Sequence, residues 1–425
     1  MIRFNSPTGR PSHQVDRPAS QMTQVPAGKP LCDLIRGTGL LALTAGLLFA
    51  TGCERKGEES QAAVEVEKPA VSAPAIDEAA ADTLSTAFWQ AGQAQVIDAE
   101  AAAEALTRAV TRLLESPTED HLEAAKLAWL DAHRELAAAL PYIRVAFAPA
   151  ELQEQGREII LALDSWPTQA GYLDTVPGYS SSGIVNDTAI DLTLANLRKQ
   201  HRLTAHEEAS TGYHALEVML WGPTSERNAS EFAQASGGEK PQAKAANRRR
   251  ELTRLIAQGI GEDSRRLAAR WPLAANDLSQ PFLAQSPSGR IRAVRDTHIA
   301  FLRNDVLPRI PESSESDVES GRAADSKQAV LAMLRTIQAN WLPGGGGGMA
   351  DLLLDPRQRE ALALNFAELE QRLLKMEDPI ELAAPTALHR SRQQVEALIG
   401  LMSGNTQVPP RQEDMTPVSH TESEG

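Results

Sequence analysis

Along most of the chain between residues 99 and 402, apolar residues return at spacings of three and four, the period of a helix with one buried face. The pattern predicts a helix over Ala99–Leu114. A second follows "SPT", with Leu122, Ala125, Trp129, Ala132 and Leu136 on one face; His133 reads as a partly exposed position beside that stripe. Asp187 is placed to cap a helix carrying Ile190, Leu194 and Leu197. Further helices are expected over Arg248–Ala269, Ile291–Val306, Ser326–Trp341, Arg357–Met376 and Ala387–Met402. Among these, Asp355 as N-cap with Pro356 at the first helical position gives the clearest start signal. No segment alternates with the period of two that a half-buried strand requires. The expected class is all-α, with two helical bundles over 82–224 and 247–404 joined by a polar, glycine-containing linker at 225–246.

The ends break this pattern. Gly37–Gly52 is a continuously apolar or small run of 16 residues, short of the ~20 that span a bilayer, and it follows a basic segment. It reads as the apolar core of an export signal over residues 1–52. "LFATGC" resembles the bacterial lipoprotein signal, with Cys53 as the lipidated residue, and Glu54 after it is compatible with delivery to an outer membrane. Residues 53–81, rich in Glu, Ala and Pro, are expected to form a flexible tether, and 405–425 a disordered tail.

Composition narrows the chemistry. Aromatic residues make up only 4% of the 425 positions, in keeping with helices rather than strands. The chain holds two cysteines. Cys32 lies in the segment to be removed and Cys53 would carry lipid, so no thiol remains for a disulfide, a zinc cluster or a nucleophile. A metal would have to be held by His, Asp, Glu or Tyr. The formal net charge of −14 opposes nucleic acid as a partner and suits cations.

The candidate chemistry centres on "STGYHALEVMLWGP", Ser210–Pro223. On a helix, His214, Glu217 and Trp221 share a face while Tyr213, Leu216 and Leu220 line another. A helix apolar nearly all round is normally buried, and a carboxylate in it is costly unless paired or metal-bound. Two readings follow: a His–Glu hydrogen bond that satisfies itself in the core, or two ligands of a metal site, with the others coming from neighbouring helices or the preceding loop. Asp164 and Asp174, in the loop around Trp166, offer hard oxygen donors. No HExxH string occurs; "HEEAS" at His206 lacks the second histidine, so a thermolysin-like site is unsupported. "GGGGGM" at Gly344–Met349 lacks the Lys-Ser or Lys-Thr of a phosphate loop and reads as a helix connection.

These residues resemble the GxHxxE signature of the imelysin family, with Gly212, His214 and Glu217 at its defining positions. "ALDSWPTQAGYLDTV", containing Trp166 and Asp174, is similar to the family's Trp-Pro segment. The resemblance implies a bacterial cell-envelope protein, often a lipoprotein, built of two four-helix bundles and tied to iron acquisition, with an iron-transport membrane protein as a partner. It further implies that His214 and Glu217 bind a divalent or trivalent metal, iron favoured over zinc or copper. The family also includes members described as metallopeptidases, in which case Glu217 would be catalytic. A non-catalytic interaction module, with the pair as a core hydrogen bond, is the remaining alternative.

Overall fold

Asp77 starts the first helix, its side chain accepting a hydrogen bond from Ala80 N at 2.7 Å. The computed structural model describes residues 76–404 apart from 239, 276 and 314–317. The export signal, Cys53, residues 53–75 of the tether and the tail therefore lie outside the described residues. In chain order the helices are α1 (Glu78–Glu115), α2 (Glu119–Ala146), α3 (Gln153–Leu163), α4 (Ala170–Leu173), α5 (Leu194–Gln200), α6 (Tyr213–Trp221), α7 (Ala245–Arg270) and α8 (Ser279–Leu283). They continue with α9 (Pro287–Phe301), α10 (Ser326–Trp341), α11 (Met349–Leu353), α12 (Pro356–Leu374) and α13 (Pro385–Met402). The fold is all-α; the described residues contain a single isolated β-bridge, between Val176 and Tyr179, and no sheet.

Helix periodicity placed the second half within a few residues. α10 spans the expected Ser326–Trp341, and Asp355 caps α12 with hydrogen bonds from Arg357 N and Gln358 N. α1 begins at Glu78 rather than Ala99, inside the stretch read as tether. Its first part buries Phe88, Trp89 and Val96, but interspersed Asp, Thr, Ser and Gln hide that stripe in the sequence. The helix expected after Asp187 is also shorter. The Asp187 side chain accepts from Ala189 N in a turn, and Thr193 caps α5.

The α1–α2 hairpin is the axis of the molecule. α1 packs on α7 and α9, while α2 packs on α6, α9 and α10, and α12 and α13 form a second hairpin against α10. Trp89 and Trp271 fix the α1–α7 contact. Their rings stack at 5.1 Å, and each indole Nε1 donates to the other's carbonyl at 3.2 Å. This arrangement removes two large apolar surfaces from water while leaving neither N–H unpaired. On the other flank, Trp341 Nε1 donates to Nδ1 of the fully buried His298 at 3.1 Å.

Burial holds His298 neutral, depressing it to about 3. An unfolded histidine takes up a proton near pH 6.5, so between that pH and about 3 the unfolded chain binds a proton that the folded chain refuses, and stability falls as pH drops. The expected contribution is up to ~1.4 kcal/mol per pH unit. Urea unfolding from pH 7 to 4.5 should show a shallower loss for His298→Gln, which keeps an acceptor for Trp341, than for wild type. Parallel curves would contradict this role.

Candidate metal centre

Gly212 decides where α6 begins. Its φ of +90° lies in the region that favours glycine, and a Cβ there would meet Leu163 O at 2.6 Å and Ala162 O at 2.8 Å. The glycine thus lets the start of α6 press against the end of α3, where Asp164 is the C-cap. His214, the second residue of α6, then reaches Asp164, with Nε2 3.0 Å from Oδ1. α2 docks on the same helix start, because Trp129 Nε1 donates to Tyr213 O at 2.8 Å. Four residues on, His133 stacks on Trp129 at 4.6 Å. Glu319, from the segment before α10, brings Oε1 to 3.1 Å from His133 Nε2 and 3.6 Å from His214 Nε2.

His133, Asp164, His214 and Glu319 each offer a ligand atom, all within 4.8 Å of one another, and all four residues are buried. The imelysin family model matches residues 93–404. The chain belongs to the imelysin family. An imelysin-like protein from Psychrobacter arcticum 273-4 shares the fold at a TM-score of 0.52 and 15% identity, over 79% of this chain and 96% of that one. A putative iron-regulated protein A precursor from Parabacteroides distasonis ATCC 8503 does so at a TM-score of 0.56 and 12% identity, over 80% and 97%. No curated protein matches this chain.

The donor set of this cluster fits a metal. Bonds of ~2.0–2.1 Å to nitrogen and oxygen place neighbouring ligand atoms roughly 3.3 Å apart in a tetrahedron. Three of the separations, 3.0, 3.1 and 3.6 Å, bracket that value, and the remaining pairs lie within 4.8 Å. Each imidazole is also oriented from behind. His133 turns Nδ1 to Asp325 Oδ2 at 3.1 Å, and His214 turns Nδ1 to Glu217 Oε2 at 3.5 Å, so both present Nε2 to the centre. Histidine ligands commonly carry such a carboxylate on the second nitrogen. His214 Nδ1 and Glu217 Oε2 face each other without a hydrogen bond, and neither has another partner. At this spacing Glu217 faces the His214 ring as an ion-pair partner and does not by itself satisfy Nδ1.

Without a metal, protons and Arg309 balance the carboxylates. Arg309 donates from Nε to Glu319 Oε1 at 3.1 Å and from a terminal nitrogen to Asp164 Oδ2. Burial disfavours the charged form of His133, but Glu319 and Asp325 outweigh it and push the imidazole up to about 10. His214 is raised as well, burial being overcome by the Asp164 hydrogen bond and the facing carboxylates. Burial would raise Asp164 and Glu319, yet the Arg309 charge and the imidazoles hold both below the usual carboxylate range. A cation held by the cluster would take the place of imidazole protons.

The residues expected from the sequence are divided by the fold. His214 and Asp164 lie in the cluster, and Glu217 sits on the far side of the His214 ring, where Oε1 accepts from Ala323 N at 2.9 Å. Trp166 lies under the Arg309 guanidinium at 5.5 Å, and Trp221 packs edge-on against Trp129 at 5.3 Å. Asp174 is not brought to the cluster. Its carboxylate is held by Arg227 at 2.6 Å and by Arg249 at 2.7 and 2.8 Å, an ion-pair role that spacing could not distinguish from ligation. His133, read as partly exposed, is buried. Its place four residues after Trp129 was the available signal, since residues one turn apart share a face. Glu319 and Arg309 had none: Glu319 sits in the polar run "PESSESDVES", and nothing local marks Arg309.

Arg227 is as buried as Asp174, so Asp174→Ala should destabilise the fold by about 3–5 kcal/mol, the usual cost of leaving a buried charge unpaired. Chemical unfolding checks the loss, and metal titration of the variant under folding conditions should give the wild-type stoichiometry and affinity. A weakened metal affinity in the folded variant would place Asp174 in the site after all.

Proposed function

We propose that the chain is a metal-binding protein of the bacterial cell envelope, taking a divalent or trivalent cation, iron foremost, at His133, His214, Asp164 and Glu319. The observation that carries this reading is the convergence of two Nε2 atoms and two carboxylates, drawn from four separate segments, inside the folded interior. Glu217 and Asp325 act as the orienting carboxylates, which gives the HxxE pair a division of labour: one ligand and the group that aims it. Two carboxylates with two imidazoles suit ferrous or ferric iron and also accept zinc or copper. The iron-regulated name of the Parabacteroides relative supports iron. Attachment through a lipidated Cys53, an outer-membrane position facing the periplasm and transfer to an iron-transport membrane protein complete the proposal and rest on the sequence and the family.

Binding is favoured over peptide hydrolysis by burial. The side chains of His133, Asp164, His214 and Glu319 are 0–4% exposed, leaving a peptide bond no approach to the ligands. Hydrolysis needs an open coordination position for water and substrate.

Titration of the Cys53→Ser chain with ferrous, ferric, cupric and zinc ions tests the reading. One equivalent should bind, with affinity rising with pH as imidazole protons are displaced. His133→Ala and His214→Ala should lose binding, and Glu217→Gln should weaken it by ~10–100-fold. A bound cation at 100 times its Kd should add about 2.7 kcal/mol of stability. Binding of equal strength by wild type and the His133→Ala, His214→Ala double variant would eliminate the proposed site.

A further inference from the structure

A second cluster of charge shares no residue with the His133, Asp164, His214 and Glu319 group. A cavity of about 840 Å³ is bounded by α3, by the turn after α5 and by the C-terminal half of α7. Arg157, Arg198, Arg202, Arg266 and Arg270 line it. Among the described residues, its wall holds two carboxylates, Glu158 and Asp263. In a chain of net charge −14 this is a local reversal of sign, and a concave wall of one sign concentrates counter-ions.

The arginines differ in how they are satisfied. Arg198 and Arg266 share Asp263 at 2.8 and 3.3 Å, Arg157 is paired with Glu154 at 2.5 Å, and Arg270 is paired with Asp277. Arg202 forms no ion pair among the described residues, and its guanidinium makes one hydrogen bond, to Ser165 Oγ at 3.5 Å. Its backbone is held at φ +56°, unusual for a residue other than glycine. That strained turn is closed by Arg202 N donating to Glu208 O at 2.9 Å. Burial first, then the nearby Arg157 charge, pull Arg202 below its ordinary value, and the Glu207 charge only partly offsets them. Arg157 and Arg202 thus line one wall with like charge.

The floor is built to stay uncharged. His201 Nε2 lies 2.9 Å from Leu161 O, while Nδ1 accepts from Thr211 N at 3.3 Å and Ser210 N at 3.2 Å. This pattern requires the neutral ring, and burial lowers His201 to about 4. The positive charge facing the cavity belongs to the arginines.

We propose that this cavity is a binding site for a small polyanion bearing carboxylate or phosphate groups, with Arg202 and Arg157 as its principal contacts. Its volume is that of a small-molecule site. Guanidinium forks match carboxylate and phosphate oxygens two at a time, and an anion between Arg157 and Arg202 relieves their repulsion. This site does not depend on the metal reading, because none of the four cluster residues lines it.

Calorimetric titration of the full Cys53→Ser chain with citrate and, separately, with inorganic pyrophosphate provides the test, each against sodium chloride of matched ionic strength. Saturable binding of at least one probe is expected, and the preferred probe separates the polycarboxylate from the phosphate source. The Arg157→Gln, Arg202→Gln double variant, confirmed as folded by circular dichroism, should bind at least tenfold more weakly. Arg335→Gln, which removes an exposed arginine that is paired with Glu370 and does not line the cavity, should bind as wild type does. Absence of binding to both probes, or wild-type affinity in the folded double variant, would overturn the proposal.

Discussion

Arg309 is the charge on which the interior depends. Asp164 and Glu319 are both buried, and its guanidinium binds both. Two carboxylates cannot be desolvated side by side without compensation. Arg309 supplies one fixed positive charge, Trp166 lies under its face at 5.5 Å, and the two imidazoles supply the rest in a form that can be exchanged. A lone guanidinium would leave the cluster rigidly filled. Histidines beside it make part of the positive charge replaceable by a cation.

That exchange is possible only because backbone and aromatic contacts bring distant segments together. Gly212 allows α6 to abut the end of α3, and the Trp129 indole hydrogen-bonds the first residue of α6. The same tryptophan supports His133 through its ring face. The apolar circumference of α6 then has a purpose beyond stability: it fixes the helix on all sides, so His214 has little freedom to turn away. Asp325 and Glu217 set the two rings from outside, and Arg134 secures Asp325 with hydrogen bonds of 2.5 and 2.7 Å.

Helix positions were largely legible because burial in an all-α fold imposes a period of three to four, and α7, α10, α12 and α13 appear within a few residues of where that period put them. The first part of α1 was hidden by polar residues between Phe88, Trp89 and Val96. His214 stood out because a polar group in an apolar helix needs a reason, and Asp164 because it lies near the Trp-Pro segment. His133 was passed over although its spacing from Trp129 put it on the buried side. Glu319 was illegible: it sits in an acidic stretch where only the tertiary fold singles out one carboxylate. Glu217 shows the opposite limit. Its spacing marked it as functional, yet ligand and orienting group have the same spacing from His214, and only three-dimensional placement against Nδ1 tells them apart.

The central claim concerns which atoms meet the cation, so the most direct measurement is anomalous diffraction from crystals of the protein loaded with zinc or iron. The account predicts one strong peak within bonding distance of His133 Nε2, His214 Nε2, Asp164 and Glu319, with Glu217 on the Nδ1 side of His214 and out of bonding distance of the cation. A peak between His214 Nδ1 and Glu217, with His133 and Glu319 still paired to each other, would contradict it.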